Sequence, residues 1–114
     1  MRVIVCGGRD YNDVRTVWHV LGSLDPNTTL VHGACRTGLD ALADAFWTSH
    51  HPTTEPERHP ADWDRHGRAA GPMRNTDMAA KGATICIAFP GGRGTENMVE
   101  QAKLHSIPVL RVDA

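Results

Sequence analysis

Short apolar runs that stop at glycine and give way to helical periodicity constrain this chain more than any other feature. "RVIVC" (Arg2 to Cys6) ends at Gly7 and Gly8, "TTLVHG" (Thr28 to Gly33) ends on its glycine, and "TICIAF" (Thr84 to Phe89) runs into Pro90, Gly91 and Gly92. After the first, Val14, Val17, Trp18 and Leu21 recur at i, i+3, i+4 and i+7, one face of a helix. After the second, Leu39, Leu42, Ala43, Phe46 and Trp47 mark another helix, opened by Thr37 and Asp40 at capping-box spacing. "TICIAF" is apolar on both faces, as a central parallel strand should be.

The middle is less regular. Residues 51–66 hold three prolines and allow one short strand near Glu57. Pro72 suits a first helical position and "MRNTDMAAK" continues as helix. A helix follows the last glycine loop to about Lys103, and "IPVLRV" (Ile107 to Val112) makes a final strand. Strand and helix in alternation predict an α/β fold, a Rossmann-like parallel sheet of about five strands with helices on both faces. The 114 residues suit a single domain, 1–114, with 40% hydrophobic and 22% charged residues.

Other classes are disfavoured. A net charge of −1 gives no electrostatic reason for tight nucleic-acid binding. No apolar run approaches the length of a membrane span, and "MRVIVC" is too short for a signal-peptide core, so the expected location is cytoplasmic. Cys6, Cys35 and Cys86 show no CxxC spacing, which points to neither disulfides nor zinc, and Cys6 and Cys86 read as small buried groups within strands. The spacing of His50, His51, His59 and His105 supports no metal site, and they read as solvated surface residues. No cofactor is expected.

Parallel α/β sheets bind ligands at the carboxyl ends of their strands. Three strand-to-helix loops fall on that edge: "CGGRDYND", "HGACRTGLD" and "PGGRGTEN". Each joins glycine, which permits close approach, to a helix start, whose free N–H groups suit an anion, and to an arginine: Arg9, Arg36 or Arg93. Glycines in tight turns are often only structural, but three such loops on one edge predict a site for an anionic ligand. There is no Walker A lysine and no GxGxxG, which disfavours a triphosphate motor or an ordinary dinucleotide dehydrogenase. "ADWDRHG" adds Asp62, Asp64 and His66, with Trp63 available to stack on a base. Alternatively, Asp62 or Asp64 caps a local turn while Trp63 packs on the sheet edge. His32 ends a strand beside Gly33, from where it could face the cleft.

Taken together, "VIVCGGRDYND", "VHGACRTGLDALADAFW", "ADWDRHGRAAGPMRN" and "IAFPGGRGTENMVEQAKLHSIPVLRV" resemble the SLOG superfamily, most closely its short YspA-type branch. The Gly33–Asp40 segment also resembles the "GARGID" stretch of the DprA proteins, and Gly91–Thr95 the "PGGxGT" signature of the cytokinin-activating phosphoribohydrolases. The resemblance implies a Rossmann-like fold that binds nucleotides or nucleotide-derived signals. Gly91, Gly92, Gly94 and Thr95 would cradle a phosphate, with Pro90 and Arg93 of the same loop among the ligand-binding residues. Arg74, with Asn75 beside it, would match the arginine that positions substrate in the hydrolases. Gly7, Gly8 and the loop of Gly33, Ala34, Arg36, Thr37, Gly38 and Asp40 would bound the sugar and base. It also makes a homodimer plausible.

One departure bears on catalysis. The hydrolases place a glutamate three residues after the threonine, and here that position is Met98. Glu96 and Glu100 lie two residues to either side, turned by roughly 200° on a helix. Neither simply inherits a carboxylate that would stabilise an oxocarbenium-like state. Met98, Val99 and Ala102 read instead as an apolar core face, and Glu96 is expected to face solvent or a ligand hydroxyl. The leading expectation is therefore a nucleotide-binding protein. A phosphoribohydrolase using Asp62, Asp64 or Glu96 is the alternative, and DprA-like single-stranded DNA binding the second.

Overall fold

The computed structural model describes residues 1–113. Its strands are β1 (Arg2–Cys6), β2 (Thr29–His32), β3 (Glu57–Arg58), β4 (Ile85–Ala88) and β5 (Val109–Arg111). The helices are α1 (Val14–Gly22), α2 (Gly38–His50), α3 (Trp63–His66), α4 (Ala70–Ala80) and α5 (Arg93–Leu104), and one 3₁₀ turn, Gly67–Ala69, joins α3 to α4. The sheet is five-stranded and parallel throughout, in the order β3-β2-β1-β4-β5. The expected Rossmann-like α/β architecture is therefore present. The first strand has its expected bounds, and the runs at 28–33, 84–89 and 107–112 form strands shorter at both ends.

Side-chain alternation along β1 divides the core in two. Val3 and Val5 pack with Val17, Leu21, Leu39, Phe46 and Trp47 beneath α1 and α2. Ile4 and Cys6 face the other way, with Met78, Ala79, Met98, Val99 and Ala102 of α4 and α5. Met98 is 1% exposed, so the position of the missing glutamate belongs to the core, as its neighbours predict. Cys6 and Cys86 are both buried. Among the described residues no helix is long and apolar enough to cross a membrane.

Three local expectations need correction. Pro72 is the third residue of α4, because α3 and the 3₁₀ turn lead directly into Ala70. Its missing N–H still falls within the turn whose donors have no intrahelical partner. Thr37 starts α2 without a side-chain capping bond, and the Asp40 carboxylate accepts from the Cys35 N–H at 3.2 Å, forming no capping box. His59 is not a free surface residue, since its Nε2 lies 2.5 Å from Glu57 Oε2, and His51 packs on Trp47 with ring centroids 4.2 Å apart and the rings tilted by 40°.

The two-residue strand β3 has little ladder of its own and depends on charge. Arg2 Nη2 bonds Glu57 Oε2 at 2.5 Å, and Arg2 Nη1 also donates to the Gly82 carbonyl. The Arg2 hydrogen bonds, followed by that of His59, hold the Glu57 carboxyl at about 2, against an ordinary value of 4.5. A depressed acid stabilises fully above its unfolded-state pKa and loses that contribution as pH falls through the folded value. Wild-type stability should therefore fall between pH 4.5 and pH 2 more steeply than that of Glu57→Gln, measured by thermal melts across that range. Parallel acid limbs for the two proteins would contradict the assignment.

Candidate functional site

Strand order reverses at β1, whose neighbours are β2 and β4. That switch point is where a parallel sheet opens a crevice at its carboxyl edge. The three glycine-bearing loops meet there through a single residue. Gly8 N–H donates to the Pro90 carbonyl at 2.9 Å, and the Gly8 carbonyl accepts from Leu39 N–H at 3.1 Å and Tyr11 N–H at 3.2 Å. The loops after β1, β2 and β4 are thus tied to one another before any ligand arrives.

Two of the predicted glycines serve this junction. Gly38 has φ +69°, and an added Cβ would collide with the Gly8 carbonyl. A Cβ on Gly91 would meet the Thr95 hydroxyl and lie 2.7 Å from Gly8 N. Gly38, Pro90 and Gly91 accordingly stand outside the cleft wall, and Pro90 and Gly91 line a smaller recess beside Glu96 and Arg111. Gly92 and Gly94 differ. A Cβ on either would meet nothing within 4 Å, neither has a positive φ, and both line the cleft.

The cleft encloses about 1000 Å³. Its wall brings together Gly7, Gly8, Arg9, Gly33, Ala34, Arg36, Thr37, Asp40, Trp63, Arg74, Asn75, Gly92, Arg93, Gly94 and Thr95 from the predicted set. Cys6, Cys35, Pro60, Ala61, Met78 and Met98 also line it, and sequence reasoning did not select them. The four wall arginines, Arg9, Arg36, Arg74 and Arg93, face one carboxylate, Asp40. A chain of net charge −1 therefore concentrates positive charge at this edge.

Arg74 is the most constrained of the four. Its Nε donates to Asn75 Oδ1 at 2.8 Å, and its Nη1 donates to the Gly33 carbonyl and, at 3.4 Å, to that of His59. A Cβ on Gly33 would displace this guanidinium. Burial pushes the Arg74 pKa down, with the charge of Asp40 opposing. Asn75, 4% exposed, is a bridge: its Nδ2 reaches Asn97 Oδ1 at 3.0 Å and the Gly94 carbonyl at 3.3 Å. It joins α4 to the first turn of α5. Asn97 was not among the expected residues, because its partner becomes visible only once the two helices are packed.

Asp40 is 9% exposed. Burial raises its pKa, opposed by the hydrogen bond from Cys35 N–H and by the charge of Arg74. His32 does not face the cleft. Its Nδ1 accepts from Ala34 N–H at 2.9 Å, so the proton lies on Nε2, which donates to Asp44 Oδ2 at 2.7 Å. Ala34 sits at φ +57°, an uncommon conformation for alanine that this bond helps hold. Asp44 also accepts from Arg58 Nε at 2.7 Å. These hydrogen bonds outweigh the burial that raises the Asp44 carboxyl, and hold it below its ordinary range.

The three candidate catalytic carboxylates all lie outside the cleft wall. Asp62 Oδ1 caps α3 by accepting from Arg65 N–H at 3.2 Å, and Asp64 is exposed on the same helix. Glu96 pairs through both oxygens with Arg111, at 2.9 and 3.0 Å. Those bonds hold its carboxyl below the ordinary range. Trp63 does line the cleft, half-exposed, with its indole against Gly71.

The chain is similar in sequence to known proteins along most of its length. Residues 1–66, from β1 through α3, match the model of the YspA, cpYpsA-related SLOG family. The Gene 61 protein of Mycobacterium phage D29 is 39% identical over 118 aligned positions, covering 96% of this chain and 94% of the phage protein. That second alignment extends the similarity across the half holding Arg74 and the loop before α5.

Because Gly91 is packed against a neighbouring backbone, Gly91→Ala should cost about 1–3 kcal/mol, the usual range for overpacking a tight site. Urea denaturation measures this directly. A midpoint equal to wild type would show that the junction around Gly8 has slack.

Proposed function

Because this chain belongs to the YspA, cpYpsA-related SLOG family, we propose that its cleft binds a nucleotide or nucleotide-derived anion, with the phosphate at the start of α5. The observation that carries the reading is the bare N-terminus of that helix. Gly92 and Gly94 present backbone with open space where side chains would stand, Arg93 lies between them, and all three line a cleft whose wall carries four arginines. Gly92, at φ −105° and ψ −141°, has a backbone conformation that itself suits glycine. At Gly94, inside the helix, neither packing nor dihedral angle calls for it, whereas close approach of a phosphate to the N–H groups does. Arg74, already fixed by three acceptors, offers its remaining donors without further loss of side-chain freedom.

We read the site as one that captures a small cytoplasmic ligand, sensing or sequestering it, rather than one that hydrolyses it. Met98 occupies the position of the hydrolase glutamate and is buried, while outside the cleft wall Asp62 caps α3, Glu96 pairs with Arg111 and Asp64 is exposed. A small-molecule ligand also suits a chain of net charge −1 better than a nucleic acid does.

Isothermal titration against nucleoside monophosphates, ADP-ribose and cyclic dinucleotides should find a binder. Silence across the panel from folded protein would refute the proposal. Arg93→Glu should weaken binding by about tenfold or more while changing stability by less than about 0.5 kcal/mol. Gly94→Ala separates the two roles of glycine more sharply. Within a helix, alanine should add up to about 1 kcal/mol of stability, yet the new methyl group should weaken ligand binding. Unchanged affinity in a stabilised Gly94→Ala protein would remove α5 from the site.

A further inference from the structure

Trp63 is the part of the cleft wall that anion chemistry does not explain. The chain's other tryptophans are accounted for by packing. Trp47 is fully buried, and Trp18, 53% exposed, lies outside the cleft in a group with Phe46 and His50 at 6.0 and 5.5 Å. Trp63 keeps 48% of its surface exposed, although an indole gains by burying its area.

Its contacts leave about half of its surface free. A Cβ on Gly71 would lie 3.1 Å from the indole Cη2 and 3.8 Å from both Cζ2 and Cζ3, so Gly71 abuts the tip of the ring. Over the ring, the Arg9 guanidinium carbon lies 5.8 Å from the centroid. That distance is close to the outer limit of a cation–π contact, at which the attraction is weak. Arg9 comes from the loop after β1 and Trp63 from the segment before α4, so the contact spans the cleft.

Building on the nucleotide reading above, we propose that Trp63 is the stacking platform for the planar heteroaromatic group of the ligand, and that Arg9 is its displaceable cover. The ligand's ring takes the face that Arg9 covers, and the guanidinium, released from a weak contact, turns to the ligand's negative charge. Cation and aromatic ring are thus reassigned from each other to the two chemically different ends of one molecule. Such stacking tolerates any base, since every base has a π-face. Trp63 therefore selects for the presence of a base rather than for its identity.

The test compares AMP, GMP, CMP and UMP with ribose 5-phosphate, which keeps sugar and phosphate and lacks the base. By titration, Trp63→Leu should weaken the nucleotides by about tenfold and leave ribose 5-phosphate unchanged, while Trp63→Phe recovers most of the loss. Trp63→Leu binding nucleotides like wild type, or weakening both classes equally, would overturn the inference and make Trp63 a scaffold for α3. In a Trp18→Phe background, saturating AMP should also protect Trp63 from acrylamide quenching, and unchanged quenching would count against the platform. If wild type binds neither class, the nucleotide reading itself fails, and the platform fails with it.

Discussion

The backbone of Gly8 is the constraint on which the site depends. Its N–H holds the loop after β4 through Pro90, and its carbonyl holds the start of α2 through Leu39. Three segments that are distant in the chain thereby share one rigid junction at the strand-order switch. No side chain is needed for the tie, so the residues around it are small: Gly38 and Gly91 each approach Gly8 too closely for a Cβ. The cleft's shape follows from that close approach. With the loops held together from behind, Gly92, Arg93 and Gly94 are left to face the opening.

Charge is distributed by the same logic. Carboxylates that could oppose an anionic ligand are engaged elsewhere: Glu96 with Arg111, Asp44 with His32 and Arg58, and Glu57 with Arg2 and His59. Asp40 remains in the wall, turned to the Cys35 N–H beside Arg74. The arginines of the wall are left in excess, and a nearly neutral protein carries one basic cleft. A preorganised set of cations in a partly enclosed site attracts anions more strongly than the same charges spread over an open surface.

Much of this was legible in the chain, and the parts that were not share a cause. Strand and helix order follows from local periodicity, so β1, β2, β4 and the helices α1, α2 and α4 could be read from residues close in sequence, whereas the four-residue α3 is too short to show a period. The same holds for Met98, whose neighbours Val99 and Ala102 mark its face as apolar. Partner choice is different. Arg2 finds Glu57 fifty-five positions away, and Arg74 finds the Gly33 carbonyl forty-one positions away, and neither spacing has a periodic signature. Asp40 illustrates the boundary: its position three residues into α2 was visible, but the donor it serves is set by how the loop before it folds. His32 likewise looked free to face the cleft until Asp44, one helix away, claimed its Nε2.

The central claim is that an anion sits on the exposed backbone between Gly92 and Thr95, within a frame fixed by Gly8. Amide chemical-shift mapping during an AMP titration reads that backbone directly. The account predicts concerted, saturable shifts at Gly92, Arg93, Gly94 and Thr95, accompanied by Arg74 and the loop from Gly33 to Thr37. Shifts confined to the recess of Glu96 and Arg111, or spectra unchanged by the nucleotide, would contradict it.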